Sequence, residues 1–209
     1  LPINRGRRKL KVGFLSSYVS AHSVGKVIGP VIAQIDREAF QVFVFTRAGA
    51  KEDSATAEYT KLSQHIRLPN EGPEARAIVA AHGLDVLVFA ELGEDKWTYF
   101  FAMSRLAPVQ AAFWGNLFTS GLAQVDYFIT SELFAPGEDY FVEQLVQFQS
   151  MSTFYAFPVI AMHKGFLAEL SDGQQLATFR QHLGFAPNDH LYMCPHTLNK
   201  FGVSSVDGV

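Results

Sequence analysis

Three short stretches of hydroxyl, glycine and titratable residues interrupt an otherwise apolar chain: residues 16–25 (SSYVSAHSVG), 91–95 (ELGED) and 115–121 (GNLFTSG). In the first, His22 stands just before a helical pattern. An imidazole there can act as a general base near neutral pH or donate to a phosphate, although residue type alone favours an ordinary surface histidine. In the third, Gly115, Thr119, Ser120 and Gly121 can offer backbone N–H and hydroxyl donors to a sugar or phosphate. A plain flexible connection explains them equally well. Glu91, Glu94 and Asp95 put carboxylates near the same edge, where they would serve a sugar hydroxyl or, as is commoner for loop carboxylates, be solvated. Further on, Lys200 in CPHTLNKF follows a predicted strand, a usual place for a partner of a diphosphate. A lone lysine there is more often a surface residue.

Several chemistries are absent from the pattern. The loop at 16–25 lacks the G-x-G-x-x-G spacing of dinucleotide binders, which argues against a nicotinamide enzyme. Neither a P-loop nor a G-x-S-x-G elbow occurs. His65, His82, His163, His182 and His190 have no metal-ligand spacing with one another, so no metal site is expected. Cys194 is the only cysteine, which rules out a disulfide within the chain and a cysteine-rich metal site. The net charge of −3 argues against a nucleic-acid binder. Arg5, Arg7, Arg8, Lys9 and Lys11 form one basic cluster, read as a solvated linker. No apolar run is long enough to span a bilayer and no signal peptide is visible.

Short apolar strands alternate with helical stretches, which predicts a parallel, doubly wound α/β sheet with right-handed connections. Strands are expected at 10–16, 40–45, 65–68 (an edge), 85–89, 109–114 and 126–130, with another at 142–148. Helices are expected at 24–35, 54–64, 72–82 and 96–106. In the first helix Val24, Val27, Ile28, Val31, Ile32 and Ile35 share one side, and Pro30 requires a late start or a kink. Gly83 is placed to cap the third. Ligands of such sheets bind beyond the carboxyl ends of the strands, and the three loops named above follow the first, fourth and fifth. Beyond these, residues 150–165 read as an irregular linker, Ser171 or Asp172 can cap a helix running to Leu183, and 190–194 reads as the first strand of a new sheet.

Six segments, in order, carry a resemblance: LKVGFLSSYVSAHSVGKVIGPVI, DREAFQVFVF, LDVLVFAELGED, RLAPVQAAFWG, TSGLAQVDYFITSELF and CPHTLNKF. From about residue 10 to 201 the chain resembles the catalytic region of the O-GlcNAc transferase and SPINDLY family, in its bacterial-like branch. The resemblance implies a GT-B fold, with two Rossmann-like lobes and an active site in the cleft between them. It divides the chain into a basic linker (1–9), an N-terminal Rossmann-like lobe (10–148), a linker (149–170) and the start of the second, donor-binding lobe (171–209). It implies an inverting transfer of GlcNAc from UDP-GlcNAc to Ser or Thr hydroxyls of intracellular proteins, by an enzyme that is itself intracellular and cytoplasmic (or nuclear in a eukaryote). The nucleotide sugar is a substrate. No other cofactor, no metal, no nucleic acid and no membrane partner is implied.

By the same resemblance, His22 aligns with the family's active-site histidine, a base or an orienting group. Thr119, Ser120 and Gly121 match a T-S-G near the donor sugar, Lys200 a lysine on the UDP diphosphate, and Thr197 a polar residue facing uridine or phosphate. The chain departs from the family at Tyr18-Val19, where Asp-Phe is frequent, and at Gly115-Asn116-Leu117, where G-H-P or G-Y-P is usual. After Phe201 it ends in GVSSVDGV, and it begins with Leu1. Both ends read as those of a fragment that lacks preceding tetratricopeptide repeats and most of the donor-binding lobe, and little or no transfer by this chain alone is expected. The alternatives are a non-catalytic remnant or binding lobe of the same family, or a related protein O-fucosyl- or N-glucosyltransferase.

Overall fold

A computed structural model describes residues 8–70, 72–116, 118–134 and 140–153, together with 177–178, 180–182, 184–186 and 189–190. Its elements run β1 (Leu10–Leu15), α1 (Ser23–Gln34), β2 (Phe40–Arg47), α2 (Ser54–Thr60), β3 (Gln64–Leu68), α3 (Gly72–Ala81), β4 (Val86–Phe89), α4 (Lys96–Ala102), β5 (Val109–Phe113), β6 (Tyr127–Ser131) and β7 (Gln144–Phe148). The seven strands form one sheet in the order β3-β2-β1-β4-β5-β6-β7, and every neighbouring pair is parallel. This is the expected Rossmann-like α/β lobe.

Strand alternation sorts the core onto the two faces of the sheet. Phe43 and Phe45 point to one side with Leu15, Leu87, Phe89 and Phe101. Val42 and Val44 point to the other with Val12, Phe14, Val88, Ile28 and Ile32. That is why the strands read as unbroken apolar runs. Ile28 and Ile32 of α1 are 1% and 0% exposed, each stabilising the lobe by about 1.5–3 kcal/mol.

Three departures from the expectation have a local reason. Helix α1 begins at Ser23 and runs through Pro30, so a late start is excluded. Pro30 is buried within it and forgoes the i→i−4 hydrogen bond that any other residue would donate there. Helix α2 stops at Thr60, since Gln64 is drawn into the sheet opposite Phe43. Helix α4 stops at Ala102 because buried Gln110 reaches into the connection: its side chain accepts from Leu106 N (2.8 Å) and donates to the carbonyls of Ser104 (3.1 Å) and Gln124 (2.8 Å).

Among the described residues of the basic cluster, Arg8 and Lys11 make defined contacts rather than being merely solvated. Arg8 pairs with Asp85 through both carboxylate oxygens (2.7 and 2.6 Å), and Lys11 donates its Nζ to His82 O at 2.9 Å. These contacts fasten the amino edge of the sheet, opposite the loops considered below. The hydrogen bond from Arg8, joined by that from Lys11 N, holds the Asp85 carboxyl down at about 2.

Residues Leu1–Phe157 form one unit and Pro158–Val209 a second. Within the second, residues 177–178 and 180–182 are helical. The rest of the helix expected there lies outside the described residues, as do Thr197, Lys200 and nearly all of the strand expected at 190–194. Among the described residues, no helix is long and apolar enough to cross a membrane.

Candidate functional site

The strand order reverses direction between β1 and β4, the point at which open α/β sheets form a ligand crevice. The loop leaving β1 is fixed there by four hydrogen bonds. Ser16 N donates to Phe45 O (3.1 Å), Ser17 N to Glu91 Oε1 (2.7 Å) and Ala21 N to Asp53 Oδ2 (3.0 Å), while the Tyr18 hydroxyl donates to Asp95 Oδ2 (3.2 Å). Gly25 then lets α1 lie against the loop: a Cβ there would stand 2.0 Å from Ser20 O and 2.7 Å from Tyr18 O.

His22 is the N-cap of α1, with extended backbone (φ −88°, ψ 161°) and Nδ1 accepting from Val24 N at 3.3 Å. The Tyr18 ring stacks on it, with centroids 4.4 Å apart and planes 21° apart. Capping through Nδ1 leaves the proton of the neutral imidazole on Nε2. In this arrangement His22 is exposed and offers a donor. To take a proton at Nε2 it would have to give up the cap. Tyr18 keeps its proton readily, because partial burial and then the charge of Asp95 push its phenol above the ordinary value.

Asp95 is itself an N-cap, accepting from Trp97 N (2.7 Å) and Thr98 N (3.4 Å) of α4. Glu91 overturns the expectation of a solvated carboxylate. It is 1% exposed, and its Oε1 accepts from Ser17 N and from the Thr98 hydroxyl (2.6 Å). Burial pushes this carboxyl up to about 7, against the hydrogen bonds that favour its charge. The reason is positional. Ala90 N still pairs with Leu15 O as an extension of β4, so the next side chain turns into the lobe, between Ala90 and Leu92, both buried. Glu94, two residues past Leu92, is exposed as expected.

After β5, the Thr119–Gly121 segment is organised around Glu143, which is 5% exposed. Thr119 Oγ1 donates to Glu143 Oε2 (2.7 Å), Ser120 N donates to Oε1 (2.8 Å), and the Ser120 hydroxyl also donates to Oε1. Thr119 Oγ1 accepts from Gly121 N (3.1 Å), Ser120 Oγ from Leu122 N (3.3 Å), and Ser120 O from the Tyr99 hydroxyl (2.8 Å). Gly121 has φ +69°, a backbone conformation that favours glycine. The donors that the sequence offers here to a sugar or phosphate are thus engaged within the lobe.

The ELGED loop links the two neighbouring segments. Glu91 holds the β1 loop, and on its other side Gly93 (φ +94°) abuts Asn116, whose amide nitrogen lies 2.6 Å from where a Cβ would stand. No hydrogen bond joins His22 to Thr119, Ser120 or Gly121 among the described residues. Beyond the ends of β2 and β3, Arg47, Asn70, Lys96, Trp97 and Phe100 line an open groove of about 360 Å³. Among the described residues, no three His, Cys, Asp or Glu side chains converge as a metal site.

Asp53 and Glu143 escape a reading of the sequence as site residues, and Glu91 is found by type but not as a buried carboxyl. A signal existed for Glu91 in its apolar neighbours directly after an apolar strand, and for Asp53 in the D-x-x-T capping pattern ahead of α2. Glu143 had none.

The model of glycosyl transferase family 41 matches residues 3–183. None of the curated proteins matches the chain. Among solved structures, a point mutant of the Thermobaculum terrenum O-GlcNAc transferase is similar, with a TM-score of 0.60 and 24% identity. The match covers 73% of this chain and 30% of that one.

Proposed function

Since the chain belongs to glycosyl transferase family 41, we propose that it is the acceptor-side lobe of an inverting protein O-GlcNAc transferase. The substrates are UDP-GlcNAc and Ser or Thr hydroxyls of intracellular proteins, and no metal or further cofactor takes part. The observation that carries this reading is His22 at the strand-order reversal, exposed, capped through Nδ1 and stacked on Tyr18, with Nε2 not used by the cap.

In such a transfer the acceptor oxygen attacks the anomeric carbon from the face opposite the departing UDP. A fixed donor at Nε2 holds the acceptor oxygen or a donor phosphate in line, so His22 orients; as the new C–O bond forms and the bond to UDP breaks, the acceptor proton passes to a phosphate oxygen of the departing UDP or to solvent. By the family resemblance Lys200 is assigned to the diphosphate and Thr197 to uridine or phosphate. Thr119–Gly121 meets the donor sugar if Glu143 gives up its hydroxyls. Transfer of labelled GlcNAc by the gene product tests the reading. His22→Ala should lower the rate by about 10²–10³-fold, the size of a lost fixed donor at a developing charge. An unchanged rate removes His22 from the site. GDP-fucose and UDP-glucose offered in parallel decide the sugar.

A second reading is a binding lobe without transferase activity. One observation favours it: both hydroxyls of the Thr119–Ser120 segment already donate to Glu143. No transfer with any of the three donors, by protein shown to be folded, would establish it.

A further inference from the structure

Glu91 and Asp95 bring two contacts of the β1 loop to the start of one helix. Oε1 of Glu91 accepts from the main chain of Ser17 in the β1 loop (2.7 Å) and from the Thr98 hydroxyl in the first turn of α4 (2.6 Å). Asp95, which caps that same turn, accepts from the hydroxyl of Tyr18, the residue after Ser17. The Tyr18 ring in turn lies flat on the imidazole of His22. We infer that Glu91 is a positioning residue for His22: by tying Ser17 N–H and the Thr98 hydroxyl to one buried oxygen, it fixes the loop that orients the imidazole. This rests on the reading of His22 as the donor of the proposed transferase.

The physical case is one of cost and direction. Glu91 is 1% exposed and reaches no substrate, so it is not a catalytic residue. A buried carboxyl is costly to keep, and an apolar side chain of similar size would fill the same space. What an apolar side chain cannot supply is an acceptor for two donors from different elements. Without it the Ser17 N–H, in a residue 4% exposed, would be left unpaired. The loop would then relax toward solvent, carrying Tyr18 off the His22 ring.

The test is nitrogen NMR of the His22 ring in the native chain and three variants. The native ring should show Nδ1 unprotonated and Nε2 protonated. Glu91→Gln keeps a carbonyl acceptor at the same place and should keep that pattern. Glu91→Val and Thr98→Val should lose it in favour of the averaged tautomers of a free histidine, while circular dichroism stays native. A native pattern in Thr98→Val, or its loss in Glu91→Gln, overturns the inference. Thr98→Val deletes a single hydroxyl and carries the comparison if Glu91→Val does not fold. The readout needs no turnover. A protein that transfers no sugar yet shows the expected series sinks only the transferase reading, and an active one whose His22 ignores these changes sinks only the role of Glu91.

Discussion

Replacing Glu91 by glutamine removes an ionisable group from the most deeply buried carboxylate among the described residues, while a carbonyl still accepts from Ser17 and Thr98. In the fold this carboxyl titrates at about 7; in the unfolded chain it returns to about 4.3. Below pH ~4.3 it is neutral in both states and costs no charge burial. Between ~4.3 and about 7 the unfolded state ionises while the folded state holds its proton, so stability falls as pH rises, by about 1.4 kcal/mol per pH unit at most. Above that window both states are ionised and the loss levels off at about 4 kcal/mol. His65 works in the opposite sense. Burial lowers its pKa, so stability rises with pH from that lowered value up to the ordinary one and levels off above it. The native chain alone therefore gives a blended curve, whereas the difference between native chain and Glu91→Gln isolates the carboxyl. Urea denaturation from pH 4 to 8.5 should show Glu91→Gln gaining on the native chain by about 4 kcal/mol across the window. A flat difference would mean that Glu91 is not ionised against a burial penalty, and the reasoning fails.

Three further outcomes follow from the geometry. Gly25→Ala puts a methyl group 2.0 Å from the Ser20 carbonyl oxygen. Backbone cannot swing aside as a side chain does, so a loss of about 3 kcal/mol is expected, roughly 6–12 °C in Tm for a lobe of this size. A Tm within about 2 °C of native would contradict the packing of α1 on its loop. Glu143→Ala strips the acceptor from Thr119, Ser120 and the Ser120 N–H. It should cost about 2 kcal/mol and speed amide exchange at Ser120 while leaving β5 protected. Asp85→Asn breaks the pair with Arg8, whose side chain is 68% exposed, so only a small loss of stability is expected. Because the Asp85 carboxyl is held down at about 2, that contribution is present at neutral pH and fades as pH falls from ~4 toward about 2. Acid unfolding of the variant should therefore show a correspondingly shallower decline.

The sites were unevenly legible. His22 could be singled out because a capping side chain, a preceding strand and a following helix are all local features. Asp95 could be placed at an edge, but not as the partner of Tyr18, since that bond joins residues 77 apart. Thr119, Ser120 and Gly121 could be recognised by type, yet the acceptor that occupies them arrives from the start of β7, more than twenty residues on. Glu91 misled, because a charged residue in an ELGED loop reads as solvated until the alternation of β4 is extended by one more backbone hydrogen bond.

By itself the sequence determined the strand–helix alternation, the two-faced burial of the strands and the family. Those follow from side-chain period, apolar runs and ordered motifs, which are properties of neighbouring residues. Tertiary structure alone decided that β1 lies beside β4 and not only beside β2. That adjacency brings Glu91 beneath Ser17, 74 residues away, and so determines what holds the loop of His22. The apolar strands carry little record of which neighbour each will take. A buried polar atom, however, must find its partner wherever the sheet order delivers one.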